Sequence, residues 1–473
     1  MREVQVEAIP LDRLVTLLEP ERAERLGTYA ARARELLDGR IVWNINATAT
    51  GGGVAEMLQA LLAYARGTGV DTRWLALDGT PEFFRITKRI HNLLHGSPGD
   101  GGPLGAAERA VYESVLADNL AGLRDRVRAG DVVVVHDPQT AGLIPGLVSL
   151  GARVVWRCHV GKDIPNAQTE MAWAFLRGHL DHAAALIFSR SAYVPGWVDD
   201  NLVWIIPPSL DPFTAKNAEI PPGEVEAVLQ HAGLMAPGER SGPFRFRRRD
   251  GSDGQIRSHA GLIDGNQVVP AGARLVLQVS RWDRLKDMAG VLTGFADHVA
   301  DLPDDVHLML AGPDAAGVTD DPEGAEVLAE CRAIRLERSP AVQARIHLCS
   351  LPMDDIDENA YLVNALQRHA AVVVQKSLIE GFGLTVTEPM WKGKPVVASC
   401  VGGIQDQIVD GESGLLLGDP TDLDAYAAAL GRVLGDNELA ARLGHAAHER
   451  VRDRYLGDRH LMQYIDLFEQ LYR

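Results

Sequence analysis

The sequence predicts an α/β protein of two doubly wound domains. Three observations carry that expectation. A chain of 473 residues is too long for one ordinary hydrophobic core. Short β-branched runs alternate with helical segments in two separate series, which indicates parallel sheets covered on both faces. Between the series lies Pro207-Pro208-Ser209-Leu210-Asp211-Pro212, whose prolines stiffen a linker and cannot extend a central strand.

Taken in order, residues 10–37 are rich in Leu, Ala, Glu and Arg and read as helical. Ile41–Asn46 follows as a short strand ending in the turn Thr50-Gly51-Gly52-Gly53. Val54, Met57, Leu58, Leu61, Leu62 and Ala65 then recur at helical spacing, so strand, glycine turn and helix make half of a βαβ unit. Further strands are expected at Asp131–Val135, Arg153–Trp156, Ala185–Phe188 and Val203–Ile206. Residues 236–270, rich in Gly, Arg and Asp, read as an inserted surface loop or hairpin. Its run Arg245–Arg249 is either a phosphate or partner site or, more plainly, a solvated stretch near Asp250 and Asp253.

A second series places strands at Arg274–Val279, Val306–Ala311, Arg345–Leu348, Ala371–Gln375, Pro395–Ser399 and Gly414–Leu417. Helices close the chain over 422–473. The expected division is therefore 1–210 and 211–450, two Rossmann-like domains of roughly 200 residues each, with a final helix over 451–473 able to pack back on the first. Ligands in such sheets sit off the carboxyl ends of the strands, so two of them facing across a cleft accommodate two substrates.

Composition narrows the function. The formal charge of -17 repels nucleic acid and anionic membranes, so neither is an expected partner. The start of the chain lacks a signal-peptide pattern, and no run approaches 18 apolar residues, which points to the cytoplasm. Cys158, Cys331, Cys349 and Cys400 are far apart, which argues against a disulfide framework or a structural zinc site. Dimers are the commonest oligomers, and a homodimer is the default expectation.

Two segments carry chemistry. In Val279-Ser280-Arg281-Trp282-Asp283-Arg284-Leu285-Lys286, the cations Arg281 and Lys286 follow directly on a strand and suit a diphosphate leaving group. In Glu380-Gly381-Phe382-Gly383-Leu384-Thr385-Val386-Thr387-Glu388, the glycines let backbone approach a ligand, and the following helix offers unpaired N–H groups to phosphate. A carboxylate there can hold sugar hydroxyls and a second a ribose diol; the plainer reading of Glu388 is a helix-surface acid. The dinucleotide fingerprint G-x-G-x-x-G fails because Val386 stands at its third glycine, and no Walker loop is present. Asp355-Ile356-Asp357 and Asp422-Leu423-Asp424 show a D-x-D pattern used elsewhere for metals, but each precedes a helix, where Asp is a common cap. No metal site is expected.

The set R-x4-K, E-x7-E, a Gly-rich first loop and Gly402-Gly403-Ile404 ahead of Asp410-Gly411-Glu412-Ser413-Gly414 resembles the retaining GT-B glycosyltransferases of the glycogen synthase and sucrose synthase type (family 4). More narrowly, Asn44–Leu58, Val135-His136-Asp137-Pro138-Gln139 and Trp156-Arg157-Cys158-His159 resemble trehalose glycosyltransferring synthases, with similarity from about residue 40 onward. The resemblance implies transfer of glucose from ADP-, UDP- or GDP-glucose to free glucose, giving α,α-trehalose, often reversibly. It implies that Arg281 and Lys286 hold the diphosphate, that Glu380 binds the donor glucose and Glu388 the ribose, and that Gly381, Phe382, Gly383, Leu384 and Thr385 line the donor. Gly52 and Gly53 belong to the same donor site, His159 lies beside the donor sugar, and Asn46, Glu56 and Asp137 lie near the acceptor. No tightly bound cofactor is implied, the partners are nucleotide sugar and glucose or trehalose, and Mg²⁺ is at most stimulatory. Two departures, Val160-Gly161-Lys162-Asp163 after His159 and the long 236–270 stretch, fall where acceptor or nucleotide preference can change.

Nothing in the sequence singles out the carboxylate pair of a double-displacement glycosidase. Front-face transfer fits better: the acceptor hydroxyl attacks from the side the diphosphate leaves, and a phosphate oxygen takes its proton. The competing readings are a retaining trehalose phosphorylase, a glucosyltransferase with another acceptor, and a non-catalytic nucleotide-sugar-binding protein.

Overall fold

The computed structural model describes residues 1–49, 52–221, 223–238, 242–257, 261–263, 268–314 and 322–473. It divides into two compact units, Met1–Leu210 with Tyr455–Arg473, and Asp211–Arg454.

The first unit is built on a seven-stranded sheet: β1 (Arg2–Val4), β2 (Val42–Asn46), β3 (Thr72–Ala76), β4 (Val132–His136), β5 (Arg153–Cys158), β6 (Ala185–Phe188) and β7 (Val203–Ile205), in the order β1-β3-β2-β4-β5-β6-β7. All neighbours are parallel except β1, which pairs antiparallel with β3. The expectation of parallel strands alone is thus corrected at this edge. Strand β3 gave no signal in the sequence because Thr72-Arg73-Trp74-Leu75-Ala76 lacks a β-branched run. Trp43, Ile45, Val133, Val135, Val154 and Trp156 pack one face of the sheet against helices Pro81–Leu94, Ala106–Ala121 and Ala167–Leu180. Val42, Val132, Val134 and Val155 pack the other face against helix Pro20–Leu36 and the final helix, Gly457–Leu471.

These last two helices also grip one another. Arg22 bonds Asp458 through Nε at 2.6 Å and Nη2 at 2.9 Å, Tyr29 donates to Asp466 at 2.9 Å, and Arg32 Nε meets Glu469 at 2.7 Å. The expected helix over 10–37 is in fact a short turn, Asp12–Val15, followed by Pro20–Leu36; Pro20 sits at the first helical positions, where its missing N–H costs nothing.

The second unit has its own seven-stranded sheet, ordered β10-β13-β12-β11-β14-β15-β16, from β10 (Gly261–Leu262), β11 (Arg274–Val279), β12 (Val306–Pro313), β13 (Ile346–Leu351), β14 (Val372–Gln375), β15 (Val396–Ser399) and β16 (Leu415–Leu417). Only the edge strand β10 is antiparallel to its neighbour. Within 236–270, β8 (Arg245–Arg247) and β9 (Asp253–Gln255) form a two-stranded ribbon. It lies on helix Ile356–His369: Phe246 stacks on Tyr361 at 5.0 Å, Arg248 pairs with Asp355 and Arg249 with Asp357. Arg248 and Arg249 therefore bind the protein itself, while Arg245 and Arg247 are exposed and Arg247 pairs with Asp253 at 2.8 Å, as the solvated reading has it. Asp355 accepts from the Asp357 and Glu358 N–H groups and Asp422 from Ala425 N–H, so both D-x-D sequences are helix caps. Among the described residues no helix is long and apolar enough to cross a membrane.

Candidate active site

In the second unit the segment after β11 is shaped by its own aspartates. Asp283 accepts from Leu285 N–H at 2.8 Å and pairs with Arg281 at 3.1 Å, while the Arg281 side chain stays 60% exposed. Asp287 takes a left-handed conformation (φ 50°) and caps the next helix through Gly290 N–H. That turn aims Lys286 at Glu380, whose carboxylate it meets at 2.6 Å. Ser377 donates to the same carboxylate oxygen at 3.3 Å. The fully buried Lys376 fixes the turn from below, bonding the Asp287 carboxylate and the Pro420 carbonyl. Burial pushes the Asp287 carboxyl above its ordinary value, and Lys376 opposes the shift.

Gly383 precedes helix Leu384–Trp391 with φ 86°, which only glycine adopts without strain. A Cβ there would lie 3.1 Å from the Glu380 side chain, so Glu380 sits against the mouth of this helix. Gly403 lies closer still: its Cβ would be 2.7 Å from Phe382 Cα. Gln407 donates to the Phe382 carbonyl at 2.6 Å and the Gly383 carbonyl at 3.2 Å, and its own amide oxygen is held by Thr387. The loop Gly381–Gly383 is thus clamped from behind, with the first N–H groups of an eight-residue helix at its end.

Glu388 is only 5% exposed, which rules out a helix-surface acid. Its two oxygens meet Lys216 at 3.4 Å and Gln367 at 3.2 Å. Lys392 stands behind, bonded to Gln367 at 2.7 Å and to Asn217 at 3.1 Å; burial drives its ammonium down to about 7, against the pull of Glu388.

In the first unit Gly52 begins helix Gly52–Gly67, and Gly53 and Glu56 lie exposed along its first turns. Thr50 and Gly51 lie outside the described residues. Asn46 is buried and engaged at both ends, donating to the Thr48 carbonyl at 2.7 Å and accepting from the Trp74 indole at 2.8 Å. Asp137, just past β4, holds φ 62°. The conformation is fixed on both sides: its carbonyl accepts from Trp156 at 3.0 Å, and its carboxylate accepts from the His159 N–H at 2.7 Å. Burial lifts that carboxyl to about 7, with the His159 N–H and Arg157 opposing.

His159 is 9% exposed and its ring is tied to His136, Nε2 to Nδ1 at 3.1 Å. Burial, with Arg157 adding to it, holds His136 down to about 3 and His159 well below the ordinary histidine range. The buried Arg157 guanidinium bonds the His460 ring at 2.9 Å, the Tyr464 hydroxyl at 2.8 Å and the Ile206 carbonyl at 3.0 Å.

The structure thus gathers Arg281, Lys286, Glu380, Gly381–Thr385 and Glu388 in one unit and Asn46, Gly52, Gly53, Glu56, Asp137 and His159 in the other. Sequence reasoning missed the residues that hold them: Lys216, Gln367, Lys376, Ser377 and Gln407. Lys376-Ser377 did carry a faint signal, as polar residues directly after an all-apolar strand.

Over residues 44–195 the chain matches the family model for the N-terminal domain of trehalose synthase, and over 263–450 that of group 1 glycosyl transferases. It is 33% identical to the trehalose synthase of Pyrococcus horikoshii, covering 92% of this chain and 91% of that one. Identity to the trehalose synthase of Rubrobacter xylanophilus is also 33%, over 95% of each chain. Among solved structures, the α,α-trehalose-phosphate synthase (UDP-forming) of Burkholderia vietnamiensis superposes with a TM-score of 0.65 at 16% identity, covering 91% of this chain and 97% of that one. With paired, mostly parallel sheets, a clamped glycine loop at a helix mouth and this similarity along nearly its whole length, the chain belongs to the trehalose synthase family and is a glycosyltransferase of GT-B fold.

Proposed function

We propose that the protein moves glucose from a nucleoside diphosphate glucose to free glucose with retention, forming α,α-trehalose in a reversible reaction. The observation that carries this reading is the meeting of Lys286 and Glu380 at 2.6 Å beside the mouth of helix Leu384–Trp391. A cation, a sugar-binding carboxylate and free N–H groups then converge where a glycosyl diphosphate would break. Charge develops on the departing diphosphate, and Arg281, Lys286 and the helix mouth stabilise it electrostatically. Glu380 orients the donor glucose and Glu388, steadied by Lys216 and Gln367, holds the ribose. The acceptor hydroxyl attacks on the leaving-group face and passes its proton to a phosphate oxygen, so the scheme routes no step through a metal or tightly bound cofactor. Asp137 and Glu56 serve the acceptor, with Asn46 bracing the loop they flank.

Incubation with ADP-, UDP- and GDP-glucose, with and without glucose, tests the reading, with products identified by NMR. The expected product is a disaccharide with both anomeric protons α, formed only when glucose is present. Nucleotide release without that disaccharide would disprove the acceptor. Trehalose and phosphate yielding glucose 1-phosphate, with all three donors inert, would make the protein a phosphorylase. Arg281→Ala and Lys286→Ala are each expected to lower kcat roughly 100-fold or more, as losses of transition-state charge stabilisation do; undiminished turnover would remove those residues from the mechanism.

A further inference from the structure

We propose that the first unit carries a further ligand site, a buried apolar cavity that takes a small molecule with one hydroxyl group. The site lies wholly within that unit, behind its sheet, and is independent of the transferase reading.

The floor of the cavity is the sheet itself. Val42 pairs with Thr72 and Asn44 with Val134 in parallel register, so Val42 and Asn44 on β2, Thr72 on β3 and Val134 on β4 point to one face. Helices Pro20–Leu36, Gly52–Gly67 and Gly457–Leu471 roof that face. Where they converge the roof includes Ala30, Ala33 and Ala65, whose methyl groups do not fill the space, and a cavity of about 60 Å³ remains. Of the lining residues, Leu11, Tyr29, Ala65, Thr68 and Leu461 are partly exposed and mark the way in.

Two polar groups interrupt this lining. Thr72 is 1% exposed, and among the described residues its Oγ1 has no hydrogen-bond partner. Asn44 is buried and accepts at Oδ1 from His136 Nε2 at 3.1 Å, while among the described residues nothing bonds its Nδ2. The other polar side chains of the lining are engaged elsewhere: Tyr29 with Asp466, Tyr464 with Arg157 and Thr68 with the Ala65 carbonyl. A buried hydroxyl left without a partner is destabilising, and an occupant that bonds it removes that penalty.

Water is a poor occupant. On the scale at which one water needs roughly 10–15 Å³, the cavity holds about five water-sized atoms, and each ordered water needs about two to four polar partners. Two free polar groups cannot serve that many. An alkyl or small-ring body matches the walls instead, and a single hydroxyl, which both donates and accepts, answers Thr72. Asn44 joins the cavity to His136, so an occupant is felt at that ring.

Butan-1-ol, of about this size, is the probe, with xenon as a second that fills space and makes no hydrogen bond. Methyl NMR of the whole chain should show butan-1-ol shifts that saturate in the millimolar range. They should centre on Ala33, Leu61 and Val134, reach the His136 ring, and spare Leu116 and Val133 on the opposite face of the sheet. Thr72→Val keeps the shape and removes the hydroxyl, so butan-1-ol should bind roughly fivefold or more weakly while xenon binds as before. Ala65→Leu fills the mouth and should abolish both. Shifts that rise with butan-1-ol and never saturate overturn the site, and that measurement needs only the unaltered protein. Equal butan-1-ol affinity in Thr72→Val overturns the hydroxyl-bearing occupant, as does a crystal structure with ordered waters filling the cavity.

Discussion

Asp137 is a non-glycine residue at φ 62°, a conformation that costs on the order of 1 kcal/mol and persists only where surroundings impose it. Here Trp156 and the His159 N–H impose it. The same enclosure raises its carboxyl to about 7, so the folded state holds a proton that the unfolded chain releases near 4. Stability from this group is complete below the unfolded value and is lost as pH rises through 7. His136 works in the opposite window: neutral in the fold down to about 3, it withdraws stability as pH falls below 6.5. Asp137→Asn keeps the acceptor for His159 N–H and tolerates positive φ. Its Tm should therefore gain on wild type as pH goes from 6 to 8, by thermal melts at matched ionic strength; a constant gap would contradict the raised carboxyl. None of this was legible in Val135-His136-Asp137. The motif marks the place, but the proton balance depends on neighbours 20 or more residues away in sequence.

Among the elements, the glycine loop at Gly381–Gly383 is set by a partner loop that sequence reading noted without giving it work. Gly403 has no room for a methyl group against Phe382, and that contact is with backbone, which cannot swing aside. Gly403→Ala should shift the loop, raise the donor KM severalfold or more and destabilise the second unit by about 1–3 kcal/mol; an unchanged donor KM would show that the loop is not donor-facing. Strand positions were readable to within one to three residues because Val-rich runs buried on both faces have few alternatives. The misses were physical too. The edge strands β1 and β10 have three and two residues and take their shape from the neighbours they pair with. Arg248 and Arg249 pair with aspartates about 100 residues on, beyond any local pattern.

At the scale of the molecule, the first unit is made from both ends of the chain, and buried charge ties them. Asp458 is fully buried and both its oxygens rest on Arg22. Arg22→Ala leaves that carboxylate enclosed and unpaired, and denaturant unfolding should show a loss of about 3 kcal/mol. Adding Asp458→Asn should restore part of it; no loss in the single variant would mean water reaches the aspartate. Two doubly wound units were legible from the alternating series, and the proline break marked where the chain first passes between them. The last helix was expected to be able to pack back on the first domain; that it covers the Val42, Val132, Val134 and Val155 face of the sheet was not legible. Its apolar stripe Leu461, Ile465, Phe468 names a buried face but not the surface it covers.

That helix also sets an order of events during synthesis. Chains emerge from the ribosome at roughly 5–20 residues per second, and domains generally fold as they appear. All of Asp211–Arg454 emerges before Tyr455–Arg473 does. Until then the partners of Arg157 on His460 and Tyr464 are missing, and Val132, Val134 and Val155 lack Ile465 and Phe468. The half of the protein that is made first is therefore finished last, and for that interval its uncovered sheet face is what a chaperone would meet.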